Sequence, residues 1–158
     1  MISPIDLYNV SLKLFLKNEK GEILVMKTLA ELNKQSKYDV PGGRINEDEF
    51  AIPFEQILRR EVSEELGDEI MLEISSNPVA LGRKKDHITI GRKKSQIQSN
   101  KTTSILFVFF EGKYCGGKIK VNEEYCGFDW INPDNPEHSA RFITGIYDAW
   151  QQYETKVK

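Results

Sequence analysis

The sequence predicts an α/β fold in which a mixed sheet lies between helices, and three observations lead there. Apolar residues alternate with a period of two in Val10-Ser11-Leu12-Lys13-Leu14-Phe15-Leu16. In Phe54–Leu66 they recur at Leu58, Val62 and Leu66, the spacing of one helix face. The run Ile105-Leu106-Phe107-Val108-Phe109-Phe110 is continuously apolar, as expected of a central strand covered on both sides. A sheet holding such a strand needs helices on both of its faces.

Taken in order, the first strand and Ile23-Leu24-Val25-Met26 flank the turn Asn18-Glu19-Lys20-Gly21, which predicts a β-hairpin. A polar connection, Thr28 to Lys37, leads into Tyr38-Asp39-Val40-Pro41-Gly42-Gly43, where Pro and two glycines must turn the chain sharply. The helix Phe54–Leu66 has Pro53 suited to its first turn and Gly67 to its C-terminal cap. Further strands are expected at Met71–Ile74, Val79–Leu81, His87–Ile90, Ser104–Glu111 and Lys118–Val121. Asn122 to Trp130 reads as a loop. From Asn135-Pro136 onward, the stripe Phe142, Ile146, Ala149, Trp150 and Tyr153 predicts one final amphipathic helix.

The chain has 158 residues, which predicts a single domain spanning residues 1–158. Hydrophobic residues make up 39% and charged residues 29%, the balance of a soluble globular protein, and no apolar run reaches the ~20 residues of a membrane span. Met1-Ile2-Ser3-Pro4 lacks the basic and apolar regions of a signal peptide, so a cytoplasmic protein is expected. Cys115 and Cys126 lack metal-site spacing and are expected to be reduced, partly buried thiols. Net charge is −2, but between Arg83 and Lys101 seven basic residues face the single acid Asp86. Such a strip is either a solvated loop or a seat for a polyanion. It holds no Phe, Tyr or Trp, which makes nucleic acid an unpromising partner.

On a helix Glu61, Glu64 and Glu65 share one side, beside the apolar stripe. Three like charges so close repel unless a cation or a basic side chain neutralises them. Their hard oxygens suit magnesium, with manganese as the substitute. Arg59 and Arg60 are adjacent, and a Glu cluster with Arg partners is also the ordinary pattern of a solvated helix face.

The surrounding stretch decides between these readings. Gly43-Arg44-Ile45-Asn46-Glu47-Asp48-Glu49, followed by Arg60-Glu61-Val62-Ser63-Glu64-Glu65-Leu66-Gly67, resembles the Nudix hydrolase signature G-x5-E-x7-R-E-U-x-E-E-x-G-U, with U bulky and aliphatic. Two departures stand out. Ten residues separate Glu49 from Arg60 where the family has seven, so Phe50-Ala51-Ile52-Pro53 is expected to hold a three-residue insertion that shifts Glu49. Asp68 takes the last aliphatic place and is read as solvent-facing.

The resemblance implies the Nudix α/β/α sandwich and hydrolysis of a diphosphate linkage in a nucleoside diphosphate derivative or nucleoside triphosphate. By carry-over, Glu61, Glu64 and Glu65 are metal ligands, joined by a carbonyl at Gly43, with Gly42 shaping the turn. Arg60 orients a glutamate, Glu49 supports the site, and the general base is Glu64, Glu65 or Glu124. Arg83, Arg92, Lys93 and Lys94 are expected to bind substrate. Tyr8, Phe15, Tyr38 and Phe128 are candidates for base stacking that packing explains as well. The resemblance and the apolar terminal helix are compatible with a homodimer. Two rival readings are a catalytically silent nucleotide-binding or regulatory module and an RNA-processing enzyme.

Overall fold

Alternating side chains make Tyr8–Lys17 the hub strand, β1. Leu12, Leu14 and Leu16 point to one face of the sheet and Phe15 to the other, all fully buried. The computed structural model describes residues 3–90 and 97–158, with main chain only at 88–90 and 97–100. After β1 come β2 (Ile23–Thr28), β3 (Tyr38–Asp39), β4 (Gly42–Arg44), a 3-10 turn at Glu47–Glu49 and helix α1 (Phe54–Leu66). Then follow β5 (Met71–Ile90), β6 (Ile97–Gly116), β7 (Tyr125–Ile131), the short α2 (Pro136–Ser139) and α3 (Ile146–Val157).

The sheet runs β3-β2-β1-β6-β5, with β4 added to β1 and β7 to β2. β1 and β6 are parallel from Tyr8↔Ser104 to Lys17↔Lys113, whereas β1–β2, β1–β4 and β5–β6 are antiparallel, so the sheet is mixed. Two apolar cores flank it. Leu12, Leu14, Leu16, Leu24, Met26 and Phe110 pack against Ile57, Leu58, Val62 and Leu66 of α1. Phe15, Val25, Ile105, Phe107 and Phe109 pack on the other face against Ile146, Ala149, Trp150 and Tyr153 of α3. Each such burial contributes about 1.5–3 kcal/mol. This is the expected α/β/α sandwich.

Several local expectations are corrected. The three short strands expected between Met71 and Ile90 are one strand, whose register shifts on both sides of Pro78 because Pro has no N–H for the ladder. Arg83 to Asp86 therefore lie on a strand and not in a loop. β5 is the edge of the sheet, and exposed Arg83 and Lys85 suit an edge, where charge discourages pairing with other chains.

Lys118–Val121 is not a strand. The main-chain N–H groups of Lys120 and Asn122 donate to the carbonyls of Leu66 and Glu65, filling acceptors that the end of α1 leaves open. Tyr125–Ile131, read as loop, pairs with β2 from Ile23↔Ile131 to Thr28↔Tyr125, its alternation masked by Gly127 and Asp129. Pro53 is the N-cap residue of α1 and precedes its first turn, while Gly67 caps the other end at φ +89°. The single terminal helix is broken: α2 ends at Ser139, and Gly145 at φ +92° starts α3, leaving Phe142 buried but outside either helix. Both cysteines are free and exposed, not partly buried.

Candidate active site

The site forms where β4 crosses the C-terminal half of α1. Gly42 sits at φ +134°, and a β-carbon there would lie 2.0 Å from the Leu12 carbonyl oxygen of β1. Only glycine lets β4 enter the sheet so closely. The Gly42 N–H donates to Glu65 Oε2 at 2.9 Å. At Gly43, a β-carbon would stand 2.4 Å from the carboxylate carbon of Glu61. The main chain of β4 thus lies directly against the acidic face of α1.

Arg60 organises that face. Its Nε donates to Glu49 Oε1 at 2.6 Å, its Nη1 to Glu64 at 3.2 Å, and its Nη2 lies 2.9 Å from Glu61 Oε1. The last is an ion pair without an aligned hydrogen bond, since Nη2 is buried and has no hydrogen-bond partner of good geometry. Despite the insertion, Glu49 reaches Arg60. Residues Phe50–Pro53 bulge outward, with Phe50 96% exposed, and Glu49 closes a capping box in which the Asn46 N–H donates to its Oε2 at 2.8 Å. That main-chain hydrogen bond, helped by the bond and the charge of Arg60, holds the Glu49 carboxyl below its ordinary range although burial opposes it.

The three glutamates differ in surroundings. Glu64 is exposed, and burial pushes the Glu61 carboxyl upward while Arg60 opposes the rise. Glu65 is 6% exposed, and burial lifts its pKa to about 8, despite Lys13 and the Gly42 N–H, which favour the charged form. The Tyr125 hydroxyl lies 3.1 Å from Glu65 Oε1 and 3.3 Å from Asp39 Oδ2, and has one proton to donate between them. Burial, then the Asp39 and Glu65 charges, push the Tyr125 hydroxyl far above its ordinary pKa, so it stays a neutral donor. Asp39 in turn accepts from Lys13 Nζ at 2.8 Å and from the Val40 N–H at 2.8 Å.

Hard carboxylate oxygens beside a main-chain cradle that only glycine permits suit a divalent cation. In the arrangement seen, Arg60 spans Glu61 and Glu64, and among the described residues no three acidic, His or Cys side chains converge at ligating distance. Ligation by this face would therefore require the carboxylates to turn from Arg60 toward Gly43.

A cavity of about 170 Å³ opens beside Gly43 on the α3 side of the sheet. Ile105, Phe107 and Ile143 give it an apolar lining; Ser11, Lys13, Asp39, Arg44 and Lys84 supply the polar groups. Arg83 is exposed and does not line this cavity; alternation along β5 puts Lys84 there in its place. Arg92, Lys93 and Lys94 lie outside the described residues. Glu124 sits exposed in the turn before β7, its N–H bound to Asn122 Oδ1. Phe15 and Tyr38 are core residues. Lys13, Asp39 and Tyr125 were absent from the expected site, although a lysine opposite Leu12 and Leu14, on the face that buries Phe15, is a detectable anomaly.

Comparison with known proteins places the chain in a family. The model of the NUDIX domain matches residues 7–148. The chain belongs to the Nudix hydrolase superfamily. The Nudix fold is shared with the MutT protein of Methanosarcina mazei (20% identity, 99% of each chain covered, TM-score 0.69). It is also shared with a Nudix hydrolase of Nitrosomonas europaea (18% identity, 94% and 90% of the two chains, TM-score 0.60). A third such structure is an ADP-ribose pyrophosphatase of Streptococcus suis (16% identity, 92% and 87%, TM-score 0.56). Among curated proteins none matches. No helix among the described residues is long and apolar enough to cross a membrane.

Proposed function

We propose that this Nudix protein is a magnesium-dependent pyrophosphohydrolase acting on a nucleoside triphosphate or another nucleoside diphosphate derivative, with manganese able to substitute. The observation that carries the reading is the contact of the Glu61 carboxylate with Gly43, a residue that also lines the cavity holding Lys13 and Arg44. Carboxylates for a cation, a main-chain cradle and a cationic pocket meet within one small region. Glu61, Glu64 and Glu65, with the Gly43 carbonyl, would hold the cation. When bound it would offset the negative charge of the diphosphate and lower the pKa of the attacking water.

The chain's own groups divide the remaining work. Arg60 is the counter-charge that keeps Glu61 and Glu64 together on their helix face, and Glu49 anchors Arg60. Glu65 is held by the Gly42 N–H and the Tyr125 hydroxyl, so its carboxylate is oriented before substrate arrives. Glu64, exposed and held only by Arg60 on one side, accepts the proton of the water. Arg44, at the rim beside Gly43, is placed to meet a substrate phosphate. The apolar walls of the cavity exclude water from the group seated between them.

One observation favours the second reading, a binding module without turnover: Arg60 already neutralises two of the three carboxylates. A magnesium-dependent screen for phosphate and pyrophosphate release across nucleotide derivatives, run beside Glu64→Gln, separates the two. Metal-dependent release that the variant loses supports the hydrolase. Tight nucleotide binding with no release from any derivative supports the module.

A further inference from the structure

Apart from the Ser11 hydroxyl, which can donate or accept, the polar side chains of the cavity beside Gly43 are weighted toward donors. Lys13 is 7% exposed, and its ammonium carries three N–H groups. Two are taken, by Asp39 Oδ1 at 2.8 Å and by the Val40 carbonyl at 3.3 Å. The third has no acceptor among the described residues, and Lys13 lines the cavity together with Phe107, whose ring centroid lies 5.8 Å from Nζ. Asp39, the acid among the lining residues, accepts from Lys13 and the Val40 N–H on Oδ1, and its Oδ2 shares the single Tyr125 proton with Glu65. Lys84 is paired with Asp86 at 2.8 Å, and Arg44 contributes only donors.

At about 170 Å³ the cavity is smaller than the roughly 300–1,000 Å³ of a site for a whole small molecule. It takes one flat group of a larger substrate, against Phe107. On the hydrolase reading above, that group is the nucleobase. We infer that Lys13 is a specificity-determining residue that selects bases carrying a carbonyl oxygen at the edge it reads, uracil or hypoxanthine and guanine, over cytosine and adenine, which carry an amine there. A keto oxygen accepts the free ammonium N–H. An exocyclic amine presents another donor to a buried cation and leaves both unsatisfied.

The test uses pairs that differ only at that edge. Turnover with magnesium is compared for inosine against adenosine triphosphate and for uridine against cytidine triphosphate; binding of the four corresponding monophosphates is measured by calorimetry. The expected result is a keto preference of roughly tenfold or more in both pairs, the size of a hydrogen bond to a charged group. Lys13→Met should collapse the ratio to about one, and Lys13→Met combined with Asp39→Asn serves if the single variant melts early. The wild-type ratios stand whether or not either variant folds. Turnover without keto preference overturns the inference and leaves the hydrolase reading intact. Keto preference in binding without turnover does the reverse. Equal loss for all four bases in Lys13→Met assigns Lys13 to a phosphate and also overturns the inference. No binding and no turnover of any nucleotide overturns both.

Discussion

Glu49 Oε1 and Arg60 Nε are 2.6 Å apart although the chain between them is three residues longer than the Nudix signature allows. The extra length goes outward at Phe50, while the capping box at Asn46 fixes one end and the first turn of α1 fixes the other. A loop whose ends are pinned by hydrogen bonds accepts added residues at small entropic cost. The acidic face therefore keeps its counter-charge.

That pair leads to the first prediction. Glu49→Gln leaves Arg60 free to settle more tightly on Glu61 and Glu64, competing with a cation. Turnover at fixed magnesium should fall about 10–100-fold, the usual cost of losing a residue that orients ligands. Raising magnesium should recover part of it. A magnesium titration of kcat/KM checks this; an unchanged curve would show that Glu49 serves stability alone.

The adjacent glycines should fail in different ways. Gly42→Ala meets the Leu12 carbonyl and an unfavourable φ, so it should lower stability by about 1–3 kcal/mol or more. At Gly43 the three atoms nearest a β-carbon all belong to the Glu61 carboxylate, the far end of a flexible side chain. Gly43→Ala should therefore melt near the wild type yet lose nearly all turnover. Thermal melts and activity on the same preparations separate the two effects.

The raised pKa of Glu65 makes stability depend on pH with a definite sign. A carboxyl of ordinary pKa 4.5 when unfolded and about 8 when folded binds its proton more tightly in the folded state. Its contribution is thus full below about pH 4.5 and is lost as pH rises toward 8. Protein treated with a chelator should melt several degrees lower at pH 8 than at pH 5, and Glu65→Gln should flatten that slope. Magnesium needs the ionised form, so the melting temperature gained on adding it should grow over the same window. A gain that is the same at pH 5 and pH 8 would show that Glu65 does not bind the ion.

Glu124 offers a sharper test of the base. It is exposed, in the turn that precedes β7, whereas its neighbour Tyr125 reaches Glu65. Glu124→Gln should leave kcat within about twofold of wild type at saturating magnesium, and Glu64→Gln should reduce it by the roughly 10²–10⁴-fold typical of general-base loss. The reverse order would move the base to Glu124.

Much of this was legible in the sequence because it is local. Glu61, Glu64 and Glu65 share a side by helix geometry alone, and the Nudix spacing around Gly43 named the chemistry and the sandwich. The continuously apolar run Ile105–Phe110 shows a strand covered on both faces before any partner is known. Non-local pairings decided the rest. Tyr125–Ile131 is a strand because β2 pairs with it, and Lys118–Val121 is not one because its N–H groups satisfy the end of α1. Lys13 meets Asp39 across 26 residues, and Tyr125 meets Asp39 across 86. Periodicity reports which face a side chain takes but not which distant group it meets there. The buried polar network under the cavity is therefore a product of the tertiary structure, and the acidic helix a product of the sequence.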